Sequence, residues 1–125
     1  NQNPYDDGCL GAFGFHGIPV ADEAQKISRT IYNAKYKMFY NPMWNLLGDF
    51  NYPPGTYYYK GNKEKNEFWN IFDQVIVRPR LRSNFVDKEL KIITKTQTVS
   101  LVTQNQHPNK EISDHLPIVF QLMED

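Results

Sequence analysis

Apolar residues early in the chain recur at steps of three and four. Val20, Ala24, Ile27, Ile31 and Ala34 would share one face of a helix. Asp22 stands where an acidic residue suits a helix start, so the spacing predicts an amphipathic helix across residues 20–34. Residues 1–20 are polar and glycine-rich, with Asp6-Asp7-Gly8 and glycines at 11, 14 and 17 between single aromatics. That pattern predicts irregular loop. Asn41-Pro42 closes a connection, and the short apolar run Met43-Trp44-Asn45-Leu46-Leu47, halted by Gly48, predicts a buried strand.

Tyr52-Pro53-Pro54-Gly55 cannot sustain a ladder and predicts a turn or loop. Thr56 to Lys60 carries three consecutive tyrosines and suits a brief strand, followed by a charged tip from Gly61 to Asn66. Phe68 to Val77 predicts a strand of mixed burial ended by Arg78-Pro79. Leu90 to Thr94 and Thr98 to Val102 are rich in branched residues, and Leu116 to Leu122 closes the chain as an apolar strand. One helix followed by several strands points to an α/β layer arrangement, its sheet mixed or largely antiparallel. No repeat or low-complexity linker divides residues 1–125, which are read as one partial domain.

Composition narrows the function classes. Of the 125 residues, 40% are hydrophobic and 14% aromatic, enough for one core and too few for two ordinary domains. Fourteen basic residues balance fourteen acidic ones, so no overall positive field draws polyanions, and nucleic-acid binding would have to be local. Cys9 is the only cysteine, which excludes an internal disulfide and a thiolate zinc cluster. No apolar stretch approaches the ~20 residues of a membrane span. The chain opens on Asn1 rather than methionine, and the expectation is a segment cut from something longer.

Two clusters of polar residues lie where predicted strands meet loops. In Gly48-Asp49-Phe50-Asn51, strand alternation would send Asp49 and Asn51 to one side and Phe50 toward the core. A carboxylate there can orient a water or deliver a proton, and an amide can donate to an anionic oxygen. A plain turn is the competing reading, since all four residue types but phenylalanine favour turns. In Ser113-Asp114-His115-Leu116-Pro117, an imidazole stands beside a carboxylate at the entry to a strand. A catalytic imidazole needs a partner on its other nitrogen. Asp73, between Phe72 and the apolar Val75-Ile76-Val77, is a candidate, because a carboxylate there is costly to bury unless paired.

Taken in order, Gly48-Asp49-Phe50-Asn51, Phe72-Asp73-Gln74-Val75-Ile76-Val77 and Ser113-Asp114-His115-Leu116-Pro117-Ile118 resemble the last three signature blocks of the endonuclease/exonuclease/phosphatase superfamily. That superfamily includes AP endonucleases, pancreatic-type deoxyribonucleases and inositol polyphosphate phosphatases. The resemblance runs from about Asp22 to the C-terminus. It implies the C-terminal half of a layered α/β sandwich and metal-dependent phosphodiester hydrolysis, with a nucleic acid or another phosphodiester such as a phosphoinositide as substrate. On this likeness His115 acts on the attacking water or the scissile phosphate, and Asp73 orients it. Asp114 sits beside a magnesium or manganese ion. Asp49 positions the nucleophile or assists the leaving oxygen, and Asn51 holds a phosphate oxygen.

Members of that superfamily also bring a metal-binding glutamate and an asparagine from the first half of the domain, and nothing here aligns with those blocks. Glu23 falls at the start of the predicted helix, His16 in a glycine-rich loop and His107 in a polar loop before Pro108. The expectation is therefore an inactive fragment lacking its N-terminal half, with an apolar sheet face open unless a partner covers it. A non-catalytic binding or scaffolding module is the alternative. Neutral net charge and the Tyr57-Tyr58-Tyr59 cluster motivate it.

Overall fold

A computed structural model describes all residues from Asn1 to Asp125. The chain mixes single-turn helices with short strands. In order these are α1 (Asp7–Leu10), β1 (Gly17–Ile18), α2 (Ala21–Ala24), β2 (Ser28–Ile31), β3 (Ala34–Lys37) and β4 (Phe39–Tyr40). A 3-10 helix (Pro42–Leu46), β5 (Tyr57–Tyr58) and β6 (Trp69–Asn70) follow. Two more 3-10 helices (Pro79–Asn84 and Asp87–Glu89), β7 (Lys91–Ile92) and β8 (Ile118–Val119) complete the order. The strands form four two-stranded sheets: β1 with β4 in parallel, and β2 with β3, β5 with β6 and β7 with β8 antiparallel. Mixed helix and strand content is thus as the sequence predicts, with the strands spread over four small ladders.

The long helix predicted across residues 20–34 does not form. Helix α2 stops at Ala24, Ile27 adopts a left-handed φ of 71°, and residues 28–37 fold into a hairpin. Tyr32 (φ 48°) and Asn33 (φ 66°) are its two-residue turn, and left-handed values at both central positions make the twist match that of the flanking strands. The branched pair Thr30-Ile31 suits β2 better than a helix interior. Helical spacing among Val20, Ala24, Ile27 and Ile31 was therefore coincidental.

The strand predicted at Met43–Leu47 is instead a 3-10 helix. The Asn41 side chain accepts a hydrogen bond from the Met43 amide at 3.0 Å, and Pro42 occupies the first helical position, where it loses no hydrogen bond. The first twenty residues are also less irregular than expected, since they contain α1 and β1. Phe68 to Val77 is a strand only at Trp69–Asn70, with a separate bridge from Val77 to Tyr40.

Met43, Ile71, Val77, Phe85 and Leu90 form the main core, with Leu46, Leu47, Val75 and Ile118 packed on it. This core joins the first 3-10 helix to the segment after β6 and to β8. It is thin: only 21 of 125 residues are buried, while Phe13, Tyr32 and Phe50 are 77%, 90% and 102% exposed. No helix is long and apolar enough to cross a membrane.

Candidate active site

Three segments meet where β5, the stretch after β6 and the approach to β8 run side by side. Tyr57 pairs with Asn70 in the β5–β6 ladder and bridges to His115 on its other edge. The Leu116 amide donates to the Thr56 carbonyl at 2.8 Å. A tight local bond sets the approach to the strand, because Ser113 Oγ accepts from the His115 amide at 3.1 Å. His115 is thereby aimed across β5 at the segment that carries Asp73.

His115 Nδ1 lies 2.8 Å from Asp73 Oδ2. Both side chains are partly exposed. An ionised carboxylate can only accept, so Nδ1 carries the hydrogen and donates it, and in the neutral ring Nε2 is left as the basic nitrogen. The imidazole stands against Tyr57 (5.0 Å between ring centres) and Phe72 (6.1 Å), which also contact each other at 5.1 Å. This aromatic wall restrains the ring while leaving it accessible. A depression of about 370 Å³, lined by Asp73, Leu101, Ile112, Ser113, His115 and Pro117, opens onto the pair. Its size suits a phosphoryl group with part of its substituents.

The remaining candidates do not line this depression. Asp114 is exposed and points attention to a neighbouring cleft of about 590 Å³, which it lines together with Tyr58, Tyr59, Lys60, His107 and Lys110. His107 stacks on Tyr58 there, 3.7 Å between ring centres and 12° from parallel, so it is part of an aromatic cluster with Trp69. Asp49 sits on an exposed turn after Gly48, which adopts a φ of +82°. Phe50 is fully exposed rather than turned to the core, because the preceding residues are not a strand and alternation does not apply. The Asn51 amide donates to the Asn45 carbonyl at 2.8 Å, within its own loop. Neither Asp49 nor Asn51 lines the depression beside His115.

Magnesium or manganese would require several oxygen ligands around one point. No three His, Cys, Asp or Glu side chains gather in that way. Asp73 is held by His115, and Asp114 is a single exposed carboxylate. Of the arginines after the Asp73 segment, Arg82 pairs with Asp87 at 2.8 Å and Arg78 lies over the Phe39 ring at 3.9 Å, which leaves Arg80 without an ion pair.

Sequence reasoning did not single out Tyr57 or Ser113 as parts of the site. Tyr57 could not be told from its neighbours in a run of three tyrosines. The signal for Ser113 was present, since a serine two residues ahead of a strand entry favours this local turn. Comparison of the chain with protein-family models, curated proteins and solved structures gives no match.

Proposed function

We propose that this chain supplies the histidine–aspartate pair of a phosphodiester-hydrolysing centre of the nuclease kind. Its magnesium or manganese ion would draw its further ligands from outside these 125 residues. The 2.8 Å contact between His115 and Asp73, residues that the family resemblance assigns to one site, carries this reading. Asp73 fixes the tautomer and steadies the imidazolium, while Nε2 takes a proton from the attacking water or returns one to the leaving oxygen. A positioned acid–base group of this type accelerates such a reaction by about 10²–10⁴-fold.

The thin core, with only 21 of 125 residues buried, is compatible with half of a layered α/β sandwich. The four small ladders would then be margins of larger sheets. Alone, the chain should hydrolyse nothing measurable, because no three carboxylate or imidazole side chains gather to hold the ion. The test is cleavage of a labelled DNA duplex, and of a soluble phosphoinositide headgroup for comparison, by the protein that joins this chain to its metal-binding segment. With magnesium present, His115→Ala should lower turnover by about two orders of magnitude or more. Near-full turnover in that variant overturns the assignment.

The cleft bounded by Tyr58, Tyr59 and His107 favours a second reading, a binding module that keeps the fold without the chemistry. A magnesium titration separates the two, since a binding module shows no metal-dependent cleavage of any phosphate ester.

A further inference from the structure

We propose that Thr56 and Asn3 are positioning residues that hold Asp73 against His115. Beyond the end of β6 at Asn70, three consecutive backbone amides lead into Asp73, and each donates to a side chain rather than to a ladder. The Ile71 amide donates to Asn3 Oδ1 at 2.8 Å. The Phe72 and Asp73 amides both donate to Thr56 Oγ1, at 3.1 and 3.3 Å. A hydroxyl oxygen has two acceptor sites and can serve both. Thr56 is fully buried and Asn3 is 5% exposed; the Ile71 bond is buried and the Phe72 and Asp73 bonds are partly buried, so loss of these acceptors leaves amides that water reaches poorly.

Thr56 also reaches the other half of the pair. Its carbonyl accepts from the Leu116 amide at 2.8 Å, one residue after His115, and its own amide donates to the Asn70 carbonyl at 2.8 Å. One residue thus fixes the Asp73 segment through its side chain and the His115 segment through its backbone. Asn3 braces the same segment, with Nδ2 donating to Asn70 Oδ1 at 2.8 Å. Asn3 is 67 residues from Asn70 in sequence, so the N-terminal segment is tied directly to the candidate site.

The two functions of Thr56 can be separated experimentally. A valine there has nearly the same shape and keeps both backbone bonds, but it leaves the Phe72 and Asp73 amides without acceptors. His115 should stay in place while Asp73 is released. The bearing on catalysis rests on the phosphodiesterase reading; the geometry does not.

The experiment is nitrogen-15 NMR of the His115 ring in the 125-residue chain. The wild type should show the Nδ1–H form. Thr56→Val should shift the ring toward a mixture with Nε2–H, and Thr56→Ser, which keeps the hydroxyl, should restore the wild-type spectrum. Folded Thr56→Val with unchanged His115 ring signals overturns the proposal. Should that variant not fold, amide exchange in the wild type decides: the Ile71, Phe72 and Asp73 amides should exchange orders of magnitude more slowly than exposed ones, and unprotected exchange overturns the proposal equally. In the protein joined to its metal-binding segment, Thr56→Val should lower kcat by about 100-fold with KM little changed. A wild-type joined protein that cleaves no phosphate ester defeats the phosphodiesterase reading and leaves the NMR result on the 125-residue chain to decide the positioning role.

Discussion

His115 and Asp73, 42 residues apart in sequence, meet through a hydrogen bond of 2.8 Å that leaves one imidazole nitrogen free. The carboxylate's contribution is to dictate which nitrogen that is. Asp73→Asn keeps the shape but offers an amide that can donate, which favours the proton on Nε2 and, on the proposed hydrolase reading, removes the base. In the protein that joins this chain to its proposed metal-binding segment, we predict a loss of turnover of about two to four orders of magnitude with near-wild-type thermal stability. Parallel measurement of kcat and Tm checks it, and a variant with undiminished kcat would show that the tautomer is irrelevant.

Asp49 offers the contrasting case. It lies on an exposed turn, Asn51 spends its amide on the Asn45 carbonyl, and neither lines the depression that Asp73 and His115 share. In the joined protein, Asp49→Ala and Asn51→Ala should each leave turnover within about threefold of wild type, as expected of exposed residues outside that depression. A collapse of turnover in Asp49→Ala, comparable with that in His115→Ala, would place this turn over the substrate.

Legibility in the sequence followed how local each determinant was. Asp73 stood out because a carboxylate amid apolar residues needs a partner, and His115 because an imidazole at a strand entry needs an orienting group. Chemistry alone suggested joining them. The hairpin at Ser28–Lys37 was obscured because Ile27, Ile31 and Ala34 satisfy a helical period by accident, and Tyr32-Asn33 is a weaker turn signal than Asn-Gly. Asn41-Pro42, which as sequence marks the close of a connection, is in the fold a helix-start signal. Thr56 and Asn3 gave no signal, since their partners lie 16 to 17 and 67 to 68 residues away.

His16 should make stability depend on pH. It is 1% exposed, and neither ring nitrogen has a hydrogen-bond partner. Burial, followed by the positive charge of Arg29, lowers its pKa from the ordinary 6.5. The folded state therefore binds this proton less readily than the unfolded chain does. Stability contributed in this way is fully present above the unfolded pKa and falls as pH drops below it. We expect Tm to decline between about pH 7.5 and about pH 5.5, and His16→Asn, which tolerates the local φ of 51°, to flatten that decline. Calorimetry of both proteins at the two pH values checks the point; parallel slopes would exclude His16 as the cause.

The β2–β3 turn carries strain that a substitution can relieve. Tyr32 holds a φ of 48° with a side chain 90% exposed, so it occupies an unfavourable backbone region and gains little packing in return. A bulky residue there costs on the order of 1 kcal/mol relative to one that accepts the left-handed region. Asparagine is such a residue, and glycine after it completes the preferred pair for this turn. Tyr32→Asn with Asn33→Gly should therefore stabilise the hairpin by about 1 kcal/mol. The hairpin pairs only with itself, so the gain belongs to local opening as much as to global unfolding. Amide exchange across β2 and β3 is the measurement that resolves it: slower exchange there is expected, and faster exchange would show that Tyr32 makes contacts in the hairpin worth more than its backbone strain.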